Sequence, residues 1–270
     1  MSQQALTRKR PQSGYAKNPG YKLRFEPSPR RVRCGFNGET IADSTSMRLL
    51  YEPGHLPVYY FPREDVRLDL LNRTEHSTHC PWKGEASYWT IDVGGKALEN
   101  SAWTYEDPYP EIAGIKDFVS FYWKRMDHWY EEDEEVFVHP RDPYHRVDVV
   151  DAKRLVKVVL GGRIIAETRR ARFLFETGLP TRYYIPREDV RADLLEPSQT
   201  TTACPYKGIA SYHGARIDGA VYEDIVWYYP DPIAECPRIK DYLCFFNENV
   251  DDILVDGQAV PKIETKWSHK

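Results

Sequence analysis

The chain of 270 residues lacks the short motifs by which many enzymes are recognised. It contains no glycine-rich phosphate loop, no Gly-x-Ser-x-Gly nucleophile turn and no His-Glu-x-x-His metal motif. The usual sequence arguments for nucleotide, serine-hydrolase and zinc-protease chemistry therefore do not apply, and the class of any enzyme stays open.

Long hydrophobic runs and paired cysteines are missing too. No stretch approaches the ~18 apolar residues of a membrane-spanning helix, and the start, MSQQALTRKRPQSG, lacks the apolar segment of a secretory signal. The five cysteines show no Cys-x-x-Cys spacing. We therefore expect reduced thiols, a cytoplasmic protein, no membrane partner and no metal or other cofactor.

A strong positive charge is also lacking. The net charge of −4 argues against a general nucleic-acid binder. The exception is the stretch from Met1 to Arg33, which has nine Lys or Arg and a single Glu. We interpret residues 1–20 as a flexible, solvated leader, with a phosphate-contacting arm or another partner contact as the alternatives.

What the chain does contain is an internal repeat with a constant offset. Cys204 follows Cys80 by 124 residues, and Arg187 follows Arg63 by the same 124. PREDVRLDLL at 62–71 matches PREDVRADLL at 186–195 at nine of ten positions. The sequence therefore predicts two tandem copies of one domain, with a leader at 1–20, repeat 1 at 21–140, a linker at 141–153 and repeat 2 at 154–270.

The patterns within each repeat predict a mainly β fold of the α+β class. Turn residues Asn37-Gly38 and Gly161-Gly162 divide alternating segments, which indicates β-hairpins. Helical spacing of apolar residues predicts one helix at the end of each repeat. The positions are Ile115, Phe118, Val119, Tyr122, Met126 and Trp129, and then Ile239, Tyr242, Leu243, Phe246, Val250 and Ile253.

We therefore expect two tandem, pseudo-symmetric antiparallel domains, each a small β-barrel or bent sheet closed by a C-terminal helix. Matched faces of such repeats could dock with approximate two-fold symmetry, as in a fused dimer, and the whole chain could be a monomer or a homodimer.

The segment Cys-Pro-aromatic-Lys-Gly, at 80–84 and again at 204–208, is the first candidate for chemistry. Proline and glycine favour a tight turn that brings the ammonium group near the sulfur, and a nearby cation favours the thiolate. Cys80 or Lys83 could then be a nucleophile, or Lys83 could bind an anion. The alternative is a structural turn with a buried cysteine and a solvated lysine.

Neighbouring side chains could assist. His79 is a possible general base beside Cys80, and Tyr88 a possible proton donor or acceptor. Repeat 2 has Ala203 in place of His79, so chemistry that needs this histidine belongs to repeat 1 alone. A metal site at His76, His79 and Cys80 is disfavoured because repeat 2 lacks both histidines.

Further residues could line a ligand site. Arg63 with Glu64, and Arg187 in repeat 2, follow a strand, where the arginine could hold a carboxylate or phosphate and the alternative is a local ion pair. Aromatic side chains recur at equivalent positions and could form either core or the wall of a small-molecule site. The remaining candidates are Trp82, Trp103, Cys204, Lys207, Tyr212 and Trp227.

Taken together, YFPREDV, THCPWKGEASYW, WTYEDPYPE and EEDEEVFVHPRDPYHRVDVV in repeat 1, with YYIPREDVRADLL, CPYKGIASY and YYPDP in repeat 2, resemble the domain-of-unknown-function 427 family. The resemblance covers about residues 21–260 and implies a compact, mainly β domain, often in two copies. The family sometimes carries a nucleotidyltransferase-type label, which no phosphate loop or paired carboxylates here support. Its motif positions in this chain are Arg63, Glu64, Asp65, Cys80, Lys83 and Tyr88, with Arg187, Glu188, Asp189, Cys204, Lys207 and Tyr212.

Three functions are compatible with these residues. The first is an enzyme that acts on a small organic molecule, with its most intact site in repeat 1, because His213 in repeat 2 stands where repeat 1 has Trp89. The second is a non-catalytic module that binds a small molecule or a peptide. The third is a scaffold that recruits other proteins.

Overall fold

The computed structural model describes residues 11–265 and residue 268. The chain divides between Pro140 and Arg141 into two units. The first unit contains β1 (Arg24–Pro27), β2 (Val32–Phe36), β3 (Glu39–Ser44), β4 (Arg48–Tyr51), β5 (Val58–Pro62), β6 (Leu71–Cys80), β7 (Gly84–Val93), β8 (Lys96–Pro108), β9 (Phe118–Phe121), β10 (His128–Glu131) and β11 (Glu134–Glu135).

The second unit repeats this series. It contains β12 (Val147–Asp151), β13 (Val156–Leu160), β14 (Arg163–Thr168), β15 (Arg172–Glu176), β16 (Arg182–Ile185), β17 (Leu195–Cys204), β18 (Gly208–Ile217), β19 (Ala220–Tyr228), β20 (Leu243–Phe245), β21 (Asp252–Val255) and β22 (Gln258–Ala259). The predicted linker at 141–153 thus includes β12, which pairs with β15.

Each unit is built from two antiparallel sheets. The seven-stranded sheets have the orders β1-β4-β5-β9-β8-β7-β6 and β12-β15-β16-β20-β19-β18-β17. The four-stranded sheets have the orders β11-β10-β2-β3 and β14-β13-β21-β22. Mainly β units of similar size are therefore confirmed, whereas the closed barrel is wrong, because each order ends in two edge strands.

The predicted hairpins are confirmed. β2 and β3 pair across Asn37-Gly38, and β13 and β14 across Gly161-Gly162. All four turn residues have positive φ, between 49° and 82°, which is the conformation that two-residue hairpin turns require. Glycine and asparagine adopt it at little steric cost.

The two predicted C-terminal helices are wrong. Residues Phe118–Phe121 instead form β9, which pairs with β5 through Val119 and with β8 through Phe121. Asp117 just before it has φ of 66°, a left-handed conformation that interrupts any α-helix, and Asp241 in the second unit has φ of 61°. The apolar positions fit helical spacing only because a strand, a short turn and a second strand follow one another.

Substitutions at Asp117 test this correction. Asp117→Gly should leave stability unchanged or raise it, and Asp117→Ala should lower the free energy of unfolding by about 1 kcal/mol, because Ala is strained at positive φ. A helix over 115–129 would give the opposite order, since Ala is the better helix former. Chemical denaturation of both variants decides between them.

Two cores lie on opposite faces of each seven-stranded sheet. In the first unit the larger core fills the space against the four-stranded sheet and includes Phe61 and Trp129. The smaller core covers the other face and includes Tyr60 and Tyr88. Tyr60 and Phe61 are neighbours in β5, so strand alternation sends one ring into each core. The second unit has the same two cores.

Two further observations bear on the chain as a whole. The five cysteines, all within the described residues, are unpaired. In the part of the chain that the structure describes, no helix has the length and apolarity needed to cross a bilayer.

Candidate functional site

The Cys-Pro-aromatic-Lys-Gly segments form the tips of two long hairpins. Cys80 pairs with Gly84 as the last pair of β6 and β7, and Cys204 pairs with Gly208 in β17 and β18. Gly84 has φ of 107° and Gly208 has φ of 104°, so the predicted turn and its need for glycine are confirmed. The turn holds Lys83 and Lys207 in a fixed position.

Both lysines are buried and form ion pairs. Lys83 Nζ lies 2.5 Å from Glu52 Oε2, and the side chains are 9% and 16% exposed. Lys207 Nζ lies 2.5 Å from Glu176 Oε2, and these side chains are 10% and 6% exposed. Glu52 directly follows β4, and Glu176 is the last residue of β15. In the order of each sheet, three strands lie between that strand and the hairpin that carries the lysine. Each seven-stranded sheet must therefore curl to bring the pair together.

The carboxylate of Glu176 stays ionised at lower pH than usual. Burial by itself would raise its pKa, but the charge and hydrogen bond of Lys207, together with His145, outweigh that effect and lower the pKa. The pair is thus a fixed dipole of one ammonium and one carboxylate in a largely dehydrated place.

An aromatic ring lies flat over each hairpin tip. Tyr21 stacks on Trp82 with ring centroids 3.9 Å apart, and His145 stacks on Tyr206 with centroids 4.0 Å apart. The Tyr21 hydroxyl donates to Glu52 Oε1 at 3.0 Å. His145 Nε2 lies 3.0 Å from Glu176 Oε1. The second oxygen of each carboxylate therefore faces the covering ring.

In the first unit, additional residues before Tyr21 extend this cover. Gly14 N–H donates to Pro81 O at 2.7 Å, and a Cβ added at Gly14 would lie 2.8 Å from the Trp82 ring. Tyr15 meets Trp82 edge-on. Burial, followed by hydrogen bonding to Glu52, raises the pKa of Tyr21 to about 12, so this phenol remains a donor at neutral pH.

Aromatic side chains form the floor beside the ion pair. Trp103 Nε1 donates to Tyr60 OH at 3.2 Å, and Trp227 Nε1 donates to Tyr184 OH at 3.1 Å. Burial raises the pKa of Tyr60 and of Tyr184. Cys80, Tyr88 and Trp103 pack in the same small core as Tyr60. The structure thus brings these candidates to the sheet face that carries Lys83.

Tyr88 and its equivalent Tyr212 are each held by a hydrogen bond to a threonine of the neighbouring strand. Tyr88 OH lies 2.8 Å from Thr78 Oγ1, and Tyr212 OH lies 2.7 Å from Thr202 Oγ1. Trp103 also contacts Tyr122, whose position in the second unit is taken by Phe246 beside Trp227. The phenol of Tyr122 is therefore a polar group that only the first unit offers.

Other candidates lie away from this face. Arg187 is 3.4 Å from His213 Nε2 and lies over the Tyr228 ring. Because His213 follows Tyr212 in β18, the two side chains point to opposite faces, and Arg187 lies on the face away from Tyr212. The charge of Arg63 likewise acts on Glu106, whose pKa is lowered first by its hydrogen bond with Arg73.

The acidic residues after these arginines have local roles. Glu64 is exposed, and Glu188 pairs with Arg170 at 3.0 Å. Asp65 and Asp189 accept hydrogen bonds from Ser44 and Thr168, each at 2.6 Å. These contacts tie the turn after the strand to the neighbouring sheet.

His79 is engaged by the hairpin itself. Its Nδ1 lies 2.7 Å from Glu85 Oε1. His76 contacts the Tyr88 ring. Among residues 11–265 and 268, no group of three or more His, Cys, Asp or Glu is placed to hold a metal ion.

Sequence reasoning missed Glu52, Glu176, Tyr21 and His145, although a signal was present. Tyr51-Glu52-Pro53-Gly54 and Phe175-Glu176-Thr177-Gly178 stand 124 residues apart, and so do KNPGY at 17–21 and RDPYH at 141–145. The repeat therefore begins upstream of the boundaries that the sequence suggested.

Each unit is accordingly a two-sheet β domain with a lysine–glutamate pair beneath stacked rings. The chain belongs to the domain-of-unknown-function family DUF427, whose model matches residues 24–132 and 148–256. No curated protein matches the chain. Both covering rings lie outside the matched ranges, whereas the lysines and glutamates lie inside them.

Proposed function

We propose that each unit binds a small organic molecule at the face formed by the lysine–glutamate pair and its aromatic neighbours. The ion pair supplies a donor and an acceptor, and the rings supply apolar surface, which is the composition of a typical small-molecule site. Catalysis by Lys83, Cys80, His79 and Tyr88 stays a hypothesis, because Lys83 is held by Glu52 and His79 by Glu85.

The recurrence of the pair in both units carries this proposal. A buried ion pair is in general no more stabilising than well-packed apolar side chains of similar volume, so folding alone gives little reason to retain one. Arg182 and Glu248 form another buried pair, yet the equivalent residues in the first unit are Val58 and Lys124. The units thus differ at this buried pair and share the pair at the hairpin tip.

A screen of metabolites by thermal shift tests the proposal. A ligand present at 100 times its Kd stabilises by about 2.7 kcal/mol, which raises Tm by about 10 °C in a unit of this size. The shift should fall in Lys83→Met/Glu52→Gln, fall in Lys207→Met/Glu176→Gln, and vanish when both pairs are replaced.

The exposed pair Arg191–Asp193 provides the matched control. Arg191→Met should leave every shift intact. A screen without hits, or hits that persist in the variant with both pairs replaced, would reject binding at this face. Retention of a hit in Cys80→Ser separates binding from thiol chemistry.

A further inference from the structure

The covering rings occupy the same place although their chemistry differs. A phenol in the first unit and an imidazole in the second stack on the hairpin aromatic with interplanar angles of 13° and 18°. What the two side chains share is a flat ring and a polar atom at the ring edge. This position therefore favours a planar group with a hydrogen-bonding atom at its edge.

Both polar edges meet the same acceptor. Tyr21 OH and His145 Nε2 each lie 3.0 Å from Oε1 of the glutamate, while Oε2 is taken by the lysine. A carboxylate oxygen accepts hydrogen bonds only, so the group opposite it must be a donor. An anionic group there would meet repulsion from the carboxylate.

Tyr21 and His145 lie on segments that precede the family domain, whereas the side chains that they contact belong to the domain. We call the space that each ring fills, against Trp82 and Glu52 or against Tyr206 and Glu176, the slot. Tyr21 lies three residues before the match that begins at residue 24, and His145 three residues before the match that begins at residue 148. Among the described residues, Gly14 N–H donates to Pro81 O at the first hairpin tip, and Asp142 N–H donates to Tyr206 OH at the second. Tyr109 OH also donates to Pro11 O in the first segment.

We infer that Tyr21 and His145 stand in for the ligand. The slot takes a planar aromatic or heteroaromatic molecule that carries an O–H or N–H donor at its edge, stacked on Trp82 or Tyr206 and bonded to Glu52 or Glu176. This assignment rests on the proposed function and names its ligand class. The ligand must displace the chain's own ring. The apparent affinity of the native protein for the ligand is therefore the affinity of the open slot multiplied by the fraction of molecules in which the ring has left it.

Removal of the rings tests the inference. In Tyr21→Ala, p-cresol replaces the lost phenol, and in His145→Ala, 4-methylimidazole replaces the lost imidazole. We expect a Kd of about 1 mM for each probe by calorimetry, which is reasonable for so few atoms. Binding to the native protein should be at least tenfold weaker.

Three controls separate the contribution of the flat ring from that of the hydrogen-bond donor. Toluene has the ring without the donor, and benzoate has the ring with an acceptor; both should bind at least tenfold more weakly than p-cresol. The triple variant Tyr21→Ala/Glu52→Leu/Lys83→Met removes the acceptor and its partner together, and should lose p-cresol binding. In the native protein, saturating probe should speed hydrogen exchange at the Gly14 amide, since the segment is displaced.

Equal binding of p-cresol and toluene, equal binding to native protein and Tyr21→Ala, or no binding to Tyr21→Ala would overturn the inference. If metabolite hits nevertheless depend on the lysine–glutamate pairs, the proposed function stands with a different ligand class. If those hits also fail, both fall.

Discussion

Lys83→Met should lower the free energy of unfolding of the first unit by about 3–5 kcal/mol, because it leaves the Glu52 carboxylate buried without a counter-ion. Only Tyr21 remains to donate to Glu52 among the hydrogen bonds described above. Urea denaturation followed by circular dichroism measures the loss.

Two matched variants separate lost charge from lost packing. Lys83→Met/Glu52→Gln removes both charges while keeping an acceptor for Tyr21, and should recover most of the stability. Lys207→Met should have a similar cost in the second unit, because Glu176 keeps His145 at 3.0 Å as Glu52 keeps Tyr21 at 3.0 Å. If the double variant is as unstable as Lys83→Met, packing of the lysine stem is responsible and the buried charge is not.

Arg182→Met should be comparably damaging to the second unit, at about 3–5 kcal/mol. Arg182 donates to both oxygens of Glu248 at 2.7 Å, and the side chains are 7% and 1% exposed. Burial alone would raise the pKa of Glu248, but its hydrogen bonds with Arg182 and Thr265 lower it. Loss of the arginine therefore leaves the buried Glu248 side chain without its charge partner.

The exposed pair Arg191–Asp193 is again the control. Arg191→Met should cost at most about 1 kcal/mol, since solvent screens this pair. Arg182→Met/Glu248→Leu should regain most of the lost stability, because the first unit folds with Val58 and Lys124 at these positions. Similar costs for Arg182→Met and Arg191→Met would show that the Arg182 pair contributes little to stability.

Local chemistry explains which parts of the fold could be predicted. Turns at Asn37-Gly38 and at the Cys-Pro-aromatic-Lys-Gly segments depend on residues within the turn, so the sequence identifies them. The helices at 115–129 and 239–253 were predicted wrongly because β9 forms only when β5 and β8 lie on either side of it. Pairing between distant strands overrides a local pattern.

The candidate site, too, could be predicted only in the part that depends on local sequence. Lys83 was identified because both copies retain it at a turn that does not need it. Its partner Glu52 lies 31 residues earlier, and the ring of Tyr21 lies earlier still. Arg63 seemed to belong with Lys83, but the equivalent Arg187 contacts His213, and strand alternation sends His213 and Tyr212 to opposite faces of one sheet.

The sequence by itself determined the duplication, its constant offset, the β-rich composition and the tight turns at Asn37-Gly38, Gly161-Gly162 and the Cys-Pro-aromatic-Lys-Gly segments, since each depends on residue identity and short-range spacing. Only the tertiary structure decided that the sheet curls, that each lysine meets a glutamate across three strands, and that a ring from the preceding segment covers them. Those contacts arise from the path of the sheet through space, which no local pattern of residues specifies.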